Sequence, residues 1–110
     1  MIKVNIKYVD NKFAYLKVSG HAKSADYGKD LICAGVSSIV IGALNNLDAK
    51  NYDIKVTDGL VEVTSNHEIT THDEIVIETM VVQLRTIEDS YPNNIKIIAI
   101  PFSKFSTLIV

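Results

Sequence analysis

Cys33 is the only cysteine in the 110 residues, and His21 precedes it by 12 positions. A thiol with no second cysteine in the chain cannot form an internal disulfide, so it is either a buried, inert group or a reactive one. Reactivity requires a base that takes the thiol proton and later delivers one to a leaving amine, and imidazole suits that work near neutral pH. The residues around the pair read Gly20-His21-Ala22 and Asp30-Leu31-Ile32-Cys33-Ala34-Gly35-Val36-Ser37. With Asp30 as the cap of a helix, Cys33 falls in its first turn, where open backbone amides and the positive end of the dipole favour a thiolate and could hold an oxyanion. Asp30 fits a cap better than a triad acid, since its own charge beside Cys33 opposes thiolate formation. Ser37 lies one turn beyond Cys33 on the same face, and its hydroxyl can reach the thiol, the imidazole or simply the preceding carbonyl. The plain alternative is that Cys33 is core filler and His21 an ordinary loop residue.

The elements that would position these groups follow from patterning. Ile2, Val4, Ile6 and Tyr8 alternate with polar residues, and after Asp10-Asn11 the segment Phe13 to Val18 repeats the mix, predicting a hairpin with one buried face. Ser19 to Asp30 is small, polar and glycine-containing, and reads as a loop. From Leu31, the residues Ile32, Val36, Ile39, Ala43 and Leu47 recur at helical spacing. Tyr52 to Thr57 and Leu60 to Ser65 flank Asp58-Gly59, which suits a two-residue type I′ turn with positive φ at both positions. From about Thr71 to Tyr91, a stripe of Val76, Met80, Leu84 and Ile87 predicts a second helix, with Thr71, Asp73 and Glu74 in its first turn and Pro92 at its end. Ile95 to Ile100 is a last strand. The order ββαββαβ implies an α+β fold of two layers, a mostly antiparallel sheet of about five strands carrying two helices.

The length predicts one domain, residues 1–110, and 47% hydrophobic against 22% charged residues is enough for a real core. A net charge of −2 gives no global attraction to nucleic acid or an anionic membrane. The first twelve residues lack the pattern of a secretion signal, and the uncharged stretch Leu31 to Leu47 is short for a membrane span and carries Ser37, Ser38, Asn45 and Asn46. The expectation is a cytoplasmic protein with neither a nucleic-acid nor a membrane partner. His67 and His72, near Glu68 and Asp73, do not have the spacing of a closed zinc set, so neither a metal nor another cofactor is expected. Glu62, Glu68, Asp73, Glu74 and Glu78 make the second half acidic, as a solvated face or as a receiver of a basic peptide.

At SGHA followed by GKDLICAGVS, and again at TIEDSYPNNIKI, the chain resembles the Prp family of ribosomal-processing cysteine proteases over nearly its whole length. The resemblance implies a catalytic dyad of His21 and Cys33, with Gly20, Asp30 and Ser37 as supporting motif neighbours. It implies removal of a short N-terminal extension from a large-subunit ribosomal protein, number twenty-seven in the usual nomenclature, after a hydrophobic or aromatic sequence. It also implies a bacterial homodimer, and the small residues from Ser19 to Lys29 suit a loop that closes over the peptide. The apolar tail beyond Pro101 has no match in the family pattern. Two other functions fit the residues: a ribosome-associated module that grips a peptide without cutting it, and a redox sensor built on a lone thiol.

Overall fold

Alternating side chains on two short strands need a second layer to cover their apolar faces, and in the computed structural model helices supply it. The structure describes residues 1–21 and 27–101, and for residues 27–30 the backbone alone. The strands are β1 (Ile2–Val9), β2 (Lys12–Ser19), β3 (Tyr52–Thr57), β4 (Leu60–Ser65) and β5 (Ile95–Ile100), and the helices are α1 (Tyr27–Asn45) and α2 (Thr71–Ser90). They form one mixed five-stranded sheet in the order β3-β4-β2-β1-β5, with β5 parallel to β1 and the other pairs antiparallel. The α+β reading and the order ββαββαβ therefore hold.

The core lies between one sheet face and the two helices. Ile2, Val4 and Ile6 of β1, Leu16 of β2, Val63 of β4 and Ile95 of β5 are buried with Val36 and Val40 of α1 and Ile77, Met80 and Leu84 of α2. On α1 the buried row is Ile32, Val36, Val40 and Leu44, with Ile39 and Ala43 half-buried beside it, so the inward face is turned slightly from the predicted stripe. The outer amide of Ile97 on the edge strand β5 donates to Glu88 Oε2 of α2 at 2.7 Å, so this amide is taken up within the fold rather than left for a passing strand.

Two local expectations are corrected. At the β3–β4 turn only Gly59 has positive φ, 72°, so Asp58-Gly59 is not type I′; both positions are positive at Asp10 (52°) and Asn11 (64°), between β1 and β2. Asp58 keeps an ordinary backbone because one left-handed residue is enough to reverse the chain when the second is glycine. The second correction concerns α1, which begins at Tyr27 rather than after Asp30. Apolar periodicity marks only where a helix is packed, and a helix can run past its buried stripe wherever its backbone bonds are met.

Candidate active site

At the end of β2 the chain turns through Gly20, whose φ is +90°. A side chain there would collide with the Met1 carbonyl, so glycine is required by both conformation and space. The Gly20 amide donates to the Gly59 carbonyl at 3.1 Å, extending the β2–β4 pairing onto the hairpin tip. The Met1 nitrogen donates to the His21 carbonyl at 3.0 Å. His21 is thus tied on both sides by backbone bonds although its side chain is exposed.

The imidazole rests on Gly59. A Cβ built on Gly59 would sit 2.6 Å from His21 Nε2 and 3.2 Å from Cε1. By sequence Asp58-Gly59 is a hairpin turn and nothing more; its second role arises only because Ser19 pairs with Leu60, which brings the turn beside His21. A DG pair at a strand end carries no sign of what packs on it, so the sequence held no signal for this contact. Gly59→Ala is expected to lower kcat/KM by about 10²-fold through displacement of the ring, and to cost about 1 kcal/mol of stability through the left-handed backbone. Peptide-cleavage kinetics with a urea melt on the same variant separate the two effects.

Gly20, His21, Cys33 and Ser37 line a single cavity of about 350 Å³, together with Ile2, Val18, Val36, Val40 and Ile41 and the hairpin tip from Val56 to Val61. Four of the five residues singled out from the sequence are therefore brought together. Cys33 is half-buried and also packs against the hydrophobic core, while Ser37 is exposed. Asp30 is the fourth residue of α1, so it is not the cap that sequence reading made it, and its side chain lies outside the described ones. Cys33 is accordingly the seventh helical residue. The open amides and the dipole act within the first turn, so neither thiolate stabilisation nor an oxyanion site by the helix end reaches Cys33. The expected closing loop falls mainly on residues 22–26, and the tail on 102–110, both outside the described residues.

The other histidines sit elsewhere. His67 Nδ1 is 2.7 Å from Asn66 Oδ1, and His72 Nδ1 is 2.7 Å from Asp73 Oδ1. Among the described residues no three of His, Cys, Asp and Glu converge as a metal site would require.

A two-layer α+β fold with a thiol and an imidazole on one apolar-walled cavity is the equipment of a cysteine protease, and comparison with known proteins agrees. The family model for "Cysteine protease Prp" matches residues 1–96, so the chain belongs to the Prp family of cysteine proteases. The ribosomal processing cysteine protease Prp of Staphylococcus aureus is 34% identical over 103 residues, covering 88% of this chain and 97% of that one. Its counterpart in Bacillus subtilis is 29% identical over 112 residues, covering 88% and 96%. The crystal structure of the S. aureus protease with a covalently linked product peptide superposes with a TM-score of 0.80 at 31% identity, over 90% of this chain and 99% of that one.

Proposed function

We propose that this protease removes the short N-terminal extension of large-subunit ribosomal protein number twenty-seven, with Cys33 as nucleophile and His21 as its base, in support of ribosome assembly. The observation that carries the reading is the meeting of His21 and Cys33 on one cavity whose walls, Ile41, Val56, Leu60 and Val61 among them, suit a hydrophobic or aromatic stretch before the cut. The S. aureus relative has been crystallised both with a substrate peptide and with a covalently linked product peptide, which supports a peptide substrate for this chain too.

In the proposed reaction the imidazole of His21 takes the Cys33 proton and the sulfur attacks the scissile carbonyl. The tetrahedral intermediate collapses as His21 returns that proton to the amine of the downstream product, leaving the upstream segment as a thioester on Cys33. Water, giving its proton to His21, then cleaves the thioester, and the thiol regains a proton as the carboxylate product departs. Gly20 holds the backbone that presents His21, and Ser37 stands on the Cys33 side of the cavity as a hydroxyl within the binding surface. The protein acts as a single-domain enzyme, as a homodimer in the cytoplasm.

The test is incubation with the extended ribosomal protein of the same organism, with product masses read out. A single cut that frees the extension, and that disappears after iodoacetamide has alkylated Cys33, is the expected result. A folded enzyme that leaves a verified extension intact, or that still cuts after alkylation, overturns it.

A further inference from the structure

Among the described residues nothing covers the second face of the sheet, and its charge is unlike that of the rest of the chain. Strand alternation puts Lys3 and Lys7 of β1, Lys17 of β2, Lys55 of β3 and Lys96 of β5 on the face opposite the buried Val4, Leu16, Val63 and Ile97. Only two carboxylates share that face, Asp53 of β3 and Glu62 of β4, and Glu62 accepts the hydroxyl of Tyr15. Five lysines against two carboxylates leave the face at +3, whereas the other six cations and eleven carboxylates leave the remaining chain at −5. A net charge of −2 averages these two regions, so the expectation drawn from total charge does not reach the face itself.

The segregation is sharpest over β5 and β1, where Lys96, Lys3 and Lys7 stand with no carboxylate among them, and Lys17 of β2 continues the row with Glu62 of β4 as its neighbour on the far side. Lys3 and Lys96 are direct register partners on parallel strands, a placement in which like charges oppose each other. Neither they nor Lys17 form an ion pair with any described residue. Lys7 lies 5.3 Å over the ring of Tyr15. Lys3 and Lys96 stand about 5 Å apart across strands and Lys3 and Lys7 about 13 Å apart along β1, with Lys17 opposite Asn5 between them. Between them are hydrogen-bonding groups, Asn5 and Ser19, and the exposed aliphatic side chains of this half, Ile98 and Ile100 on the edge strand and Val9 at the end of β1, lie at its margins.

We propose that this open sheet face binds RNA through its phosphates. A flat array of lysines in excess over carboxylates, interleaved with polar groups, gains affinity by releasing counterions from a polyanion, without needing a shaped pocket. A folded acidic protein would need an apolar centre that the face lacks. A second copy of the chain meeting it across a two-fold axis would set the same positive patch against itself. The peptide cavity is walled by α1 and the opposite side of the sheet, so RNA on this face leaves it clear. The proposal rests on charge placement and stands whatever the peptide substrate is.

The test is fluorescence anisotropy of a labelled single-stranded RNA of mixed sequence titrated with the intact protein over a range of salt. Binding should weaken with log salt at a slope of about −3, as four or so phosphate contacts imply. The pair Lys3→Glu with Lys17→Glu should lower affinity at least tenfold and flatten the slope, while the distant Lys50→Glu leaves both unchanged. Lys96→Glu should weaken RNA binding yet melt no lower than wild type, because it converts a repulsive pair into an attractive one; a merely structural lysine would lose both or neither. Absence of binding at low salt, or equal losses in the face and Lys50 variants, overturns the proposal. So does binding to phosphatidylserine vesicles without binding to RNA, which would make the face a membrane surface.

Discussion

Cys33→Ala is expected to abolish peptide cleavage, and His21→Ala to lower kcat/KM by about 10²- to 10⁴-fold. The asymmetry follows from the roles: without sulfur there is no atom to form the thioester, whereas without imidazole the nucleophile is still present and attacks slowly. Both variants should fold. His21 is exposed and its backbone bonds survive truncation, and Cys33 is half-buried, so loss of one sulfur should cost about 1 kcal/mol or less. Iodoacetamide labelling of His21→Ala supplies the second readout. A thiol that still alkylates while cleavage has collapsed assigns His21 to proton transfer and disposes of a pure redox sensor, which needs no such histidine. Turnover by folded Cys33→Ala would overturn the nucleophile.

The parts of this fold that could be read in advance are those whose cause is local. The bounds Tyr52–Thr57, Leu60–Ser65 and Ile95–Ile100 match expectation because alternation and the flanking turn residues lie within each segment. The placement of Cys33 and Ser37 on one helix, a turn apart, could be read from the apolar spacing and from their separation. The start of α1 could not, since the helix extends beyond the apolar stripe that announces it, and the error moved Cys33 from the helix end to the second turn. Nor could the seat of His21 on Gly59, which needs β2 to pair with β4 across some forty intervening residues. The consequence is chemical as well as geometric. With the helix end out of reach, the proposed mechanism leaves activation of the thiol to His21 alone, held between the Met1 and Gly59 backbone contacts, so the histidine's seat is where that mechanism is most sensitive.

Asp73→Ala is expected to cost about 3 kcal/mol or more, the largest stability loss of any polar substitution among the described residues, because three segments converge on this carboxylate. The sequence offered it as an exposed acid in the first turn of α2, yet it is 1% exposed. Its Oδ2 accepts the Tyr52 hydroxyl at 2.9 Å and the Asp48 amide at 3.3 Å, its Oδ1 lies 2.7 Å from His72 Nδ1, and its own amide donates to Oγ1 of Thr70, the helix cap. Burial alone would raise its pKa, but the His72, Tyr52 and Asp48 bonds outweigh burial and hold it below the ordinary carboxylate value. The folded pKa lies below the unfolded one, so Asp73 stabilises the protein fully above about pH 4 and loses that contribution as pH falls through the folded value. Tyr52 moves the other way: burial first, then the bond to Asp73 and its negative charge, push the phenol well above the usual tyrosine range. Its contribution is present below about pH 10 and is lost as pH rises through the folded value. Urea midpoints of wild type and Asp73→Asn should therefore differ most near neutrality and converge in acid, and a double-mutant cycle with Tyr52→Phe should show a coupling of about 1 kcal/mol or more. A gap that persists unchanged below about pH 2 would mean that packing, not the ionised carboxylate, is what Asp73 supplies to this corner of the fold.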